Sequence, residues 1–191
     1  MRTVLFSILV VALLIGCSAP REMPATPGAE GALKCEQAID YNILVTALPN
    51  NVAGFAPAAD PEGSTMTWQD PGQEQTITYS SAQVNLVKGE ESDNPQYIDV
   101  SIMDTCYVQF LSTAWWGYAQ FESTSGYLRK TEMNGQPAWK SYDKGTESYG
   151  YIIFVNERVI VSVSGTEGVS DADVQAAAEA IDYDSIADAA Q

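Results

Sequence analysis

Three cysteines, Cys17, Cys35 and Cys106, are the strongest nucleophiles in this 191-residue chain, and no histidine is present to activate them. Without an imidazole there is no Ser-His-Asp triad, no Cys-His dyad, no histidine-ligated zinc or haem, and no histidine pH switch. The remaining uses of a thiol are acylation, a disulfide, or service as a small apolar core residue. Acids are plentiful, 25 against nine basic groups. Asp171/Asp173 and Asp182/Asp184 each read Asp-x-Asp, but no twelve-residue calcium loop with its glycine and terminal glutamate surrounds them. They read as a solvated acidic face, and neither a metal nor a cofactor is expected. A net charge of -16 argues against nucleic acid, whose phosphates need clustered Lys and Arg. The chain also lacks a phosphate-cradling glycine loop, a GxSxG elbow and a CxxC motif. It is therefore not expected to be an enzyme.

Aromatic residues offer recognition rather than catalysis. Trp68, Trp139, Tyr142, Tyr149 and Tyr151 lie in strand-like stretches, where ordinary sheet packing and stacking against sugar rings are both open uses. Trp116 is different. In Tyr107–Glu122, Val108, Leu111, Ala114, Trp115, Tyr118 and Ala119 form one broad apolar side at helical spacing. Gln109, Ser112, Thr113 and Gln120 gather on the other side, with Trp116 in their midst. Either another segment covers Trp116, or it is a contact residue for a partner, since exposed aromatics anchor interfaces.

The start of the chain explains one cysteine. After Arg2, residues Val4 to Ile15 are almost wholly apolar. Such a run is too short to span about 30 Å of hydrocarbon as a helix, and it fits the core of a secretory signal. It ends in Leu14-Ile15-Gly16-Cys17, which resembles the lipobox of prokaryotic lipoproteins. The resemblance implies cleavage after Gly16, a diacylglycerol on the Cys17 thiol, and acylation of the new amino group in many bacteria. Residues 1–16 are then a signal peptide. Cleavage would remove one basic group and no acid, so the charge passes from -16 to -17. A surface this acidic is repelled by anionic headgroups, so the lipid itself must hold it at the membrane. Ser18, rather than Asp, follows the cysteine. In a diderm bacterium the resemblance then implies sorting to the outer membrane, facing the periplasm.

Residues 17–34 form a tether rich in proline, glycine and small residues. Its seventeen residues after Cys17 reach up to about 55 Å when extended. A single α+β domain is expected over 35–191. Export would place Cys35 and Cys106 where disulfides persist, so they form either a bond or two buried thiols.

The elements that must position these residues show in the apolar periods. Cys35–Ala47 has a helical period. Short strands are expected near Val52–Ala56 and Thr65–Gln69. Gln75–Lys88 and Tyr97–Met103 alternate as strands, and Tyr107–Glu122 is a helix. Further strands are expected near Tyr127–Met133, Pro137–Asp143, Ser148–Val155 and Arg158–Ser164. Ser170, with Asp173 in capping-box position, opens one final helix through Ile181. Helix, four strands, helix, four strands, helix suggests a ββββα pseudo-repeat and an α+β sandwich of antiparallel sheet with packed helices. The order is similar to that of the Mog1/PsbP-like fold, which some exported lipoproteins share. The leading functional expectation is a membrane-tethered envelope lipoprotein that is non-enzymatic and binds or supports an envelope protein. The alternative is a small-molecule or glycan-binding lipoprotein using the strand aromatics. A carboxylate hydrolase, which needs a defined spacing of two acids across a cleft, is third.

Overall fold

The computed structural model describes residues 37–69, 76–90, 93–105 and 120–191, with the side chains of all of these but 68, 69, 76 and 77. Cys17, Cys35, Cys106 and Trp116 lie outside the described residues, as do the expected signal peptide, the expected tether and most of the expected middle helix.

The architecture is α+β. After helix α1 (Tyr41–Ala47) come β1 (Ala56–Pro57), β2 (Glu62–Gln69), β3 (Thr76–Lys88) and β4 (Gln96–Asp104). Then follow β5 (Phe121–Ser123), β6 (Gly126–Met133), β7 (Gln136–Asp143), β8 (Ser148–Val155) and β9 (Val159–Gly165). Helices α2 (Asp171–Glu179) and α3 (Tyr183–Ala189) close the chain. The strands make one nine-stranded sheet in the order β1-β3-β4-β9-β8-β7-β6-β5, with β2 also on β3. Every pairing is antiparallel. The layout is two meanders joined through their last strands, β4 and β9, an antiparallel sheet with packed helices as expected.

Period-two alternation explains the strands. Ala82, Val84 and Leu86 of β3 are buried, as are Ile98, Val100 and Ile102 of β4 and Val159, Val161 and Val163 of β9. These residues share one face, and the described helices pack there in a single apolar cluster with Leu44, Val174, Ala177 and Ile186. Gly165 lets α2 approach: a Cβ there would stand 2.7 Å from Val174 Cγ2 and 2.9 Å from Val169 Cβ.

Local chemistry sets the turns and caps. Asn134-Gly135 and Asn156-Glu157 take positive φ at both positions, the twist that suits two-residue hairpins. The two asparagine amides then donate to Glu179 O at 3.0 Å and Ala187 O at 2.8 Å. They thereby satisfy carbonyls that helix ends leave unpaired. Ser170 Oγ accepts from Asp173 N at 3.1 Å and donates to Asp173 Oδ2 at 2.8 Å, so the expected cap of α2 is present.

Three expectations need correction. The first helix starts at Tyr41, because Asp40 accepts from Asn42 N and caps it there. The final helix ends at Glu179, and an unexpected further helix follows, because Asp182 accepts from Ser185 N at 3.1 Å and caps it. Phe121 and Glu122, placed at the end of the middle helix, instead pair with Leu128 and Tyr127 as strand β5.

Candidate functional site

Two polar clusters stand out against the apolar core. The first lies at the end of β4. Position 104 continues the buried series 98, 100 and 102, so an acid there is forced inward. Asp104 is 0% exposed and meets Arg158, 11% exposed, in a two-pronged pair. Arg158 Nε donates to Oδ1 and Nη2 to Oδ2, both at 2.9 Å. Asp104 Oδ2 also accepts from Ile39 N at 2.7 Å. Arg158 Nη2 donates to Gln37 O at 2.7 Å, and Nη1 to Ala190 O at 3.4 Å. Thr105 adds backbone and hydroxyl donors to Arg158 O. One guanidinium thus ties the first described residues, the two central strands and the last helix together. A planar guanidinium fork suits this two-pronged pair with a carboxylate and acts as a structural tie.

The second cluster sits where α2 meets β7 and β8. Lys140 Nζ pairs with Asp171 Oδ2, and Tyr151 OH donates to Asp171 Oδ1 at 3.0 Å. Burial works against the Lys140 charge, but hydrogen bonds and attraction from Asp171 and Tyr151 outweigh it, and its pKa is pushed up to about 12. Burial also raises the Tyr151 phenol. A lysine held protonated and a phenol held neutral form neither a nucleophile nor a general base near pH 7. The cluster docks the first turn of α2.

Beside it, register aligns Tyr127, Tyr142 and Tyr149 across β6, β7 and β8. Tyr142 stacks on Tyr149 with ring centroids 4.6 Å apart, and tilts against Tyr127 at 5.8 Å. Arg129 covers the Tyr127 ring at 4.2 Å. Sugar stacking needs a free ring face, and these faces are largely taken by one another. Trp139, at 2% exposure, is buried in the sheet, and Tyr151 is buried as well. Of the strand aromatics named from sequence, Trp139, Tyr142, Tyr149 and Tyr151 therefore pack. The side chain of Trp68 is outside the described residues.

Among the acids, Asp182 is a cap, Asp173 accepts from the capping Ser170 hydroxyl and Asp171 is an ion-pair partner. Hydrogen bonds from the Ser185 hydroxyl and backbone N–H lower the Asp182 carboxyl. Among the described residues no group of three His, Cys, Asp or Glu side chains could hold a metal ion, and no helix is long and apolar enough to cross a membrane. An open cleft of about 450 Å³ beside Leu48, Pro49, Pro57 and Pro61 has Asp60 as the one ionisable residue of its lining. A carboxylate pair for hydrolysis is not found there.

Sequence reasoning named neither Asp104 nor Arg158. A signal existed: an acid at the fourth inward position of a strand needs a buried cation. Its partner lies 54 residues away, which no local period reveals. No protein-family model, no curated protein and no solved structure matches the chain.

Proposed function

We propose that the chain is an exported envelope lipoprotein, held by lipid on Cys17, whose domain is non-enzymatic and binds or supports an envelope protein. The observation that carries this reading is the Asp104–Arg158 clamp. It grips Gln37 and Ile39, the residues that follow the tether, and joins them to the middle of the sheet and to Ala190. A domain held at a membrane by its leading end is loaded at that end, and a buried, multiply bonded ion pair resists its peeling away. The described polar clusters serve packing, which favours a scaffold over a hydrolase. The closed tyrosine row favours a protein partner over a stacked glycan.

Two finer readings belong to the proposal. The first is a Mog1/PsbP-like domain, supported by the meander-then-helix order of β5–β9 and α2. The second is a disulfide between Cys35 and Cys106. In support, the chain positions just inside these cysteines meet, with Ile39 N 2.7 Å from Asp104 Oδ2. The bond would form as the two thiols give up two protons and two electrons to a thiol oxidant of the exported compartment.

The test is fractionation of cells producing the chain and its Cys17→Ser variant. The unaltered chain is expected in the membrane fraction, labelled by a fatty-acid analogue, and the variant unlabelled. Equal labelling and partition of both would refute the lipid assignment. Site-specific photocrosslinking at Trp116 should then join the lipidated protein to a discrete protein partner; transfer only to lipid would refute the contact.

A further inference from the structure

We propose that the sheet face turned away from the described helices is a docking surface, and that its occupant is this chain's own segment 106–119, laid across the sheet as an amphipathic helix. Two aromatics on that face are covered. Trp139 alternates with Ala138 and Lys140, and Phe154 with Ile153 and Val155. Ala138, Ile153 and Val155 join the apolar cluster under the helices, so Trp139 and Phe154 point to the opposite side. Each is nonetheless only 2% exposed. Strand neighbours screen the edges of a ring that stands on a sheet, and its top stays open unless a further layer lies over it. Lys130 Nζ, 5.3 Å from the Trp139 ring centroid, covers part of that ring, and one lysine does not complete such burial. The cover is local. On the same face Gln83 and Asn85 of β3 and Asp99 and Ser101 of β4 are exposed, so the missing layer lies over β7 and β8.

Chain geometry selects 106–119 as the occupant. The segment leaves β4 at Thr105 and must reach Gln120, whose Oε1 accepts from Lys130 N of β6 at 3.3 Å. β4 and β6 are four strand spacings apart, through β9, β8 and β7, or about 19 Å. In register Lys130 lies level with Trp139, Ile152, Ser162 and Ser101. That level is four residues below Thr105, about 13 Å along the strands, which makes the diagonal about 23 Å. The fifteen steps from Thr105 to Gln120 rise about 22 Å as an α-helix and about 50 Å when extended. A helix therefore spans the gap and an extended chain overshoots it. Phe154 lies level with Ile160 and Met103, two residues below Thr105 and two strands across, so it marks the middle of that path. Trp139 lies beside the path on the next strand. The segment's residues suit the role: Val108, Leu111, Trp115 and Tyr118 share one side at helical spacing, and nothing from 107 to 119 is charged. Trp115 then closes over the covered aromatics and Trp116 faces outward, on an uncharged surface of an acidic chain. This docking sharpens the Trp116 contact proposed above and does not rest on it.

Hydroxyl-radical footprinting of the purified full chain carrying Cys17→Ser tests the proposal, with side-chain oxidation read by mass spectrometry. Trp115, Trp139 and Phe154 should be oxidised about tenfold more slowly than Trp116, since covered side chains react only when the structure opens locally. Leu111→Asn sets an amide against the apolar face and should abolish the protection of Trp139 and Phe154, while amide exchange in β9 keeps its unaltered rate. Should that variant lose its cooperative melt, Leu111→Ala gives the same reading with a smaller loss. Ser112→Asn, on the other side of the segment, should change nothing. Trp139 and Phe154 oxidised as fast as Trp116 in the otherwise unaltered chain would overturn the proposal and give the face to a separate partner. Protection that survives both Leu111 variants in folded protein also overturns it, as does protection that disappears instead on deletion of residues 18–34. A slow Trp116 with a fast Trp115 would set the segment the other way up and overturn it as well.

Discussion

The ion pairs at the centre of the sheet and toward its β5 edge have similar chemistry and opposite settings. Asp104 and Arg158 are 0% and 11% exposed, whereas Lys140 and Asp171 are 24% and 34% exposed, and Arg129 and Glu122 are 49% and 70% exposed. A buried pair is stable only while every lone pair and proton is met, and its removal leaves a charge with no water to solvate it. An exposed pair loses little, because water and salt replace the partner. The clamp therefore fixes the first described residues to the centre of the fold. The Lys140 pair trims the docking of one helix, and the Arg129 pair is close to neutral.

The largest expected effect is at the clamp. Asp104→Asn or Arg158→Met alone should destabilise the domain by about 3–5 kcal/mol, read as a fall in the denaturation midpoint. Asp104→Leu with Arg158→Met together should recover much of that loss. If the single changes cost no more than an exposed pair, the contrast between the centre and the edge fails. Next in size is the proposed Cys35–Cys106 bond, whose reduction should cost about 2–4 kcal/mol. Unchanged stability in dithiothreitol, with two thiols already reactive beforehand, would remove the bond from the account.

Lys140→Met should cost about 2 kcal/mol, the size of its shift from 10.5 to about 12. Because that pKa is raised in the folded state, the contribution is whole below pH 10.5 and fades as pH rises through about 12. A titration of stability in alkali should show that loss in the unaltered protein and not in the variant. Smallest of all, Arg129→Gln should change stability by under about 0.5 kcal/mol and show little dependence on salt.

Much of the sheet is legible because inward and outward residues alternate. Ile98, Val100 and Ile102 define the core face of β4 from their spacing alone, and Ser170 with Asp173 marks α2 within a residue. The misses have physical causes. Asp40 and Asp182 are caps; Asp40 sits inside a continuing apolar period that starts the first helix too early, and the seven-residue helix after Asp182 is too short to show a period of its own. Phe121 follows an amphipathic stretch closely enough to be counted with it, although β6 claims it by pairing. The clamp is least legible, because Asp104 declares its need for a cation but Arg158 is brought to it only by the β4–β9 pairing. Cys17, Cys35, Cys106 and Trp116 lie outside the described residues, so they rest on sequence alone.

The central claim is that this domain hangs from lipid at Cys17, and the most direct measurement is the mass of the N-terminal fragment of the protein recovered from its own membranes. The account predicts a fragment that begins at Cys17 and carries diacylglycerol. A fragment that begins at Met1, or one that begins elsewhere with an unmodified Cys17 thiol, would contradict it.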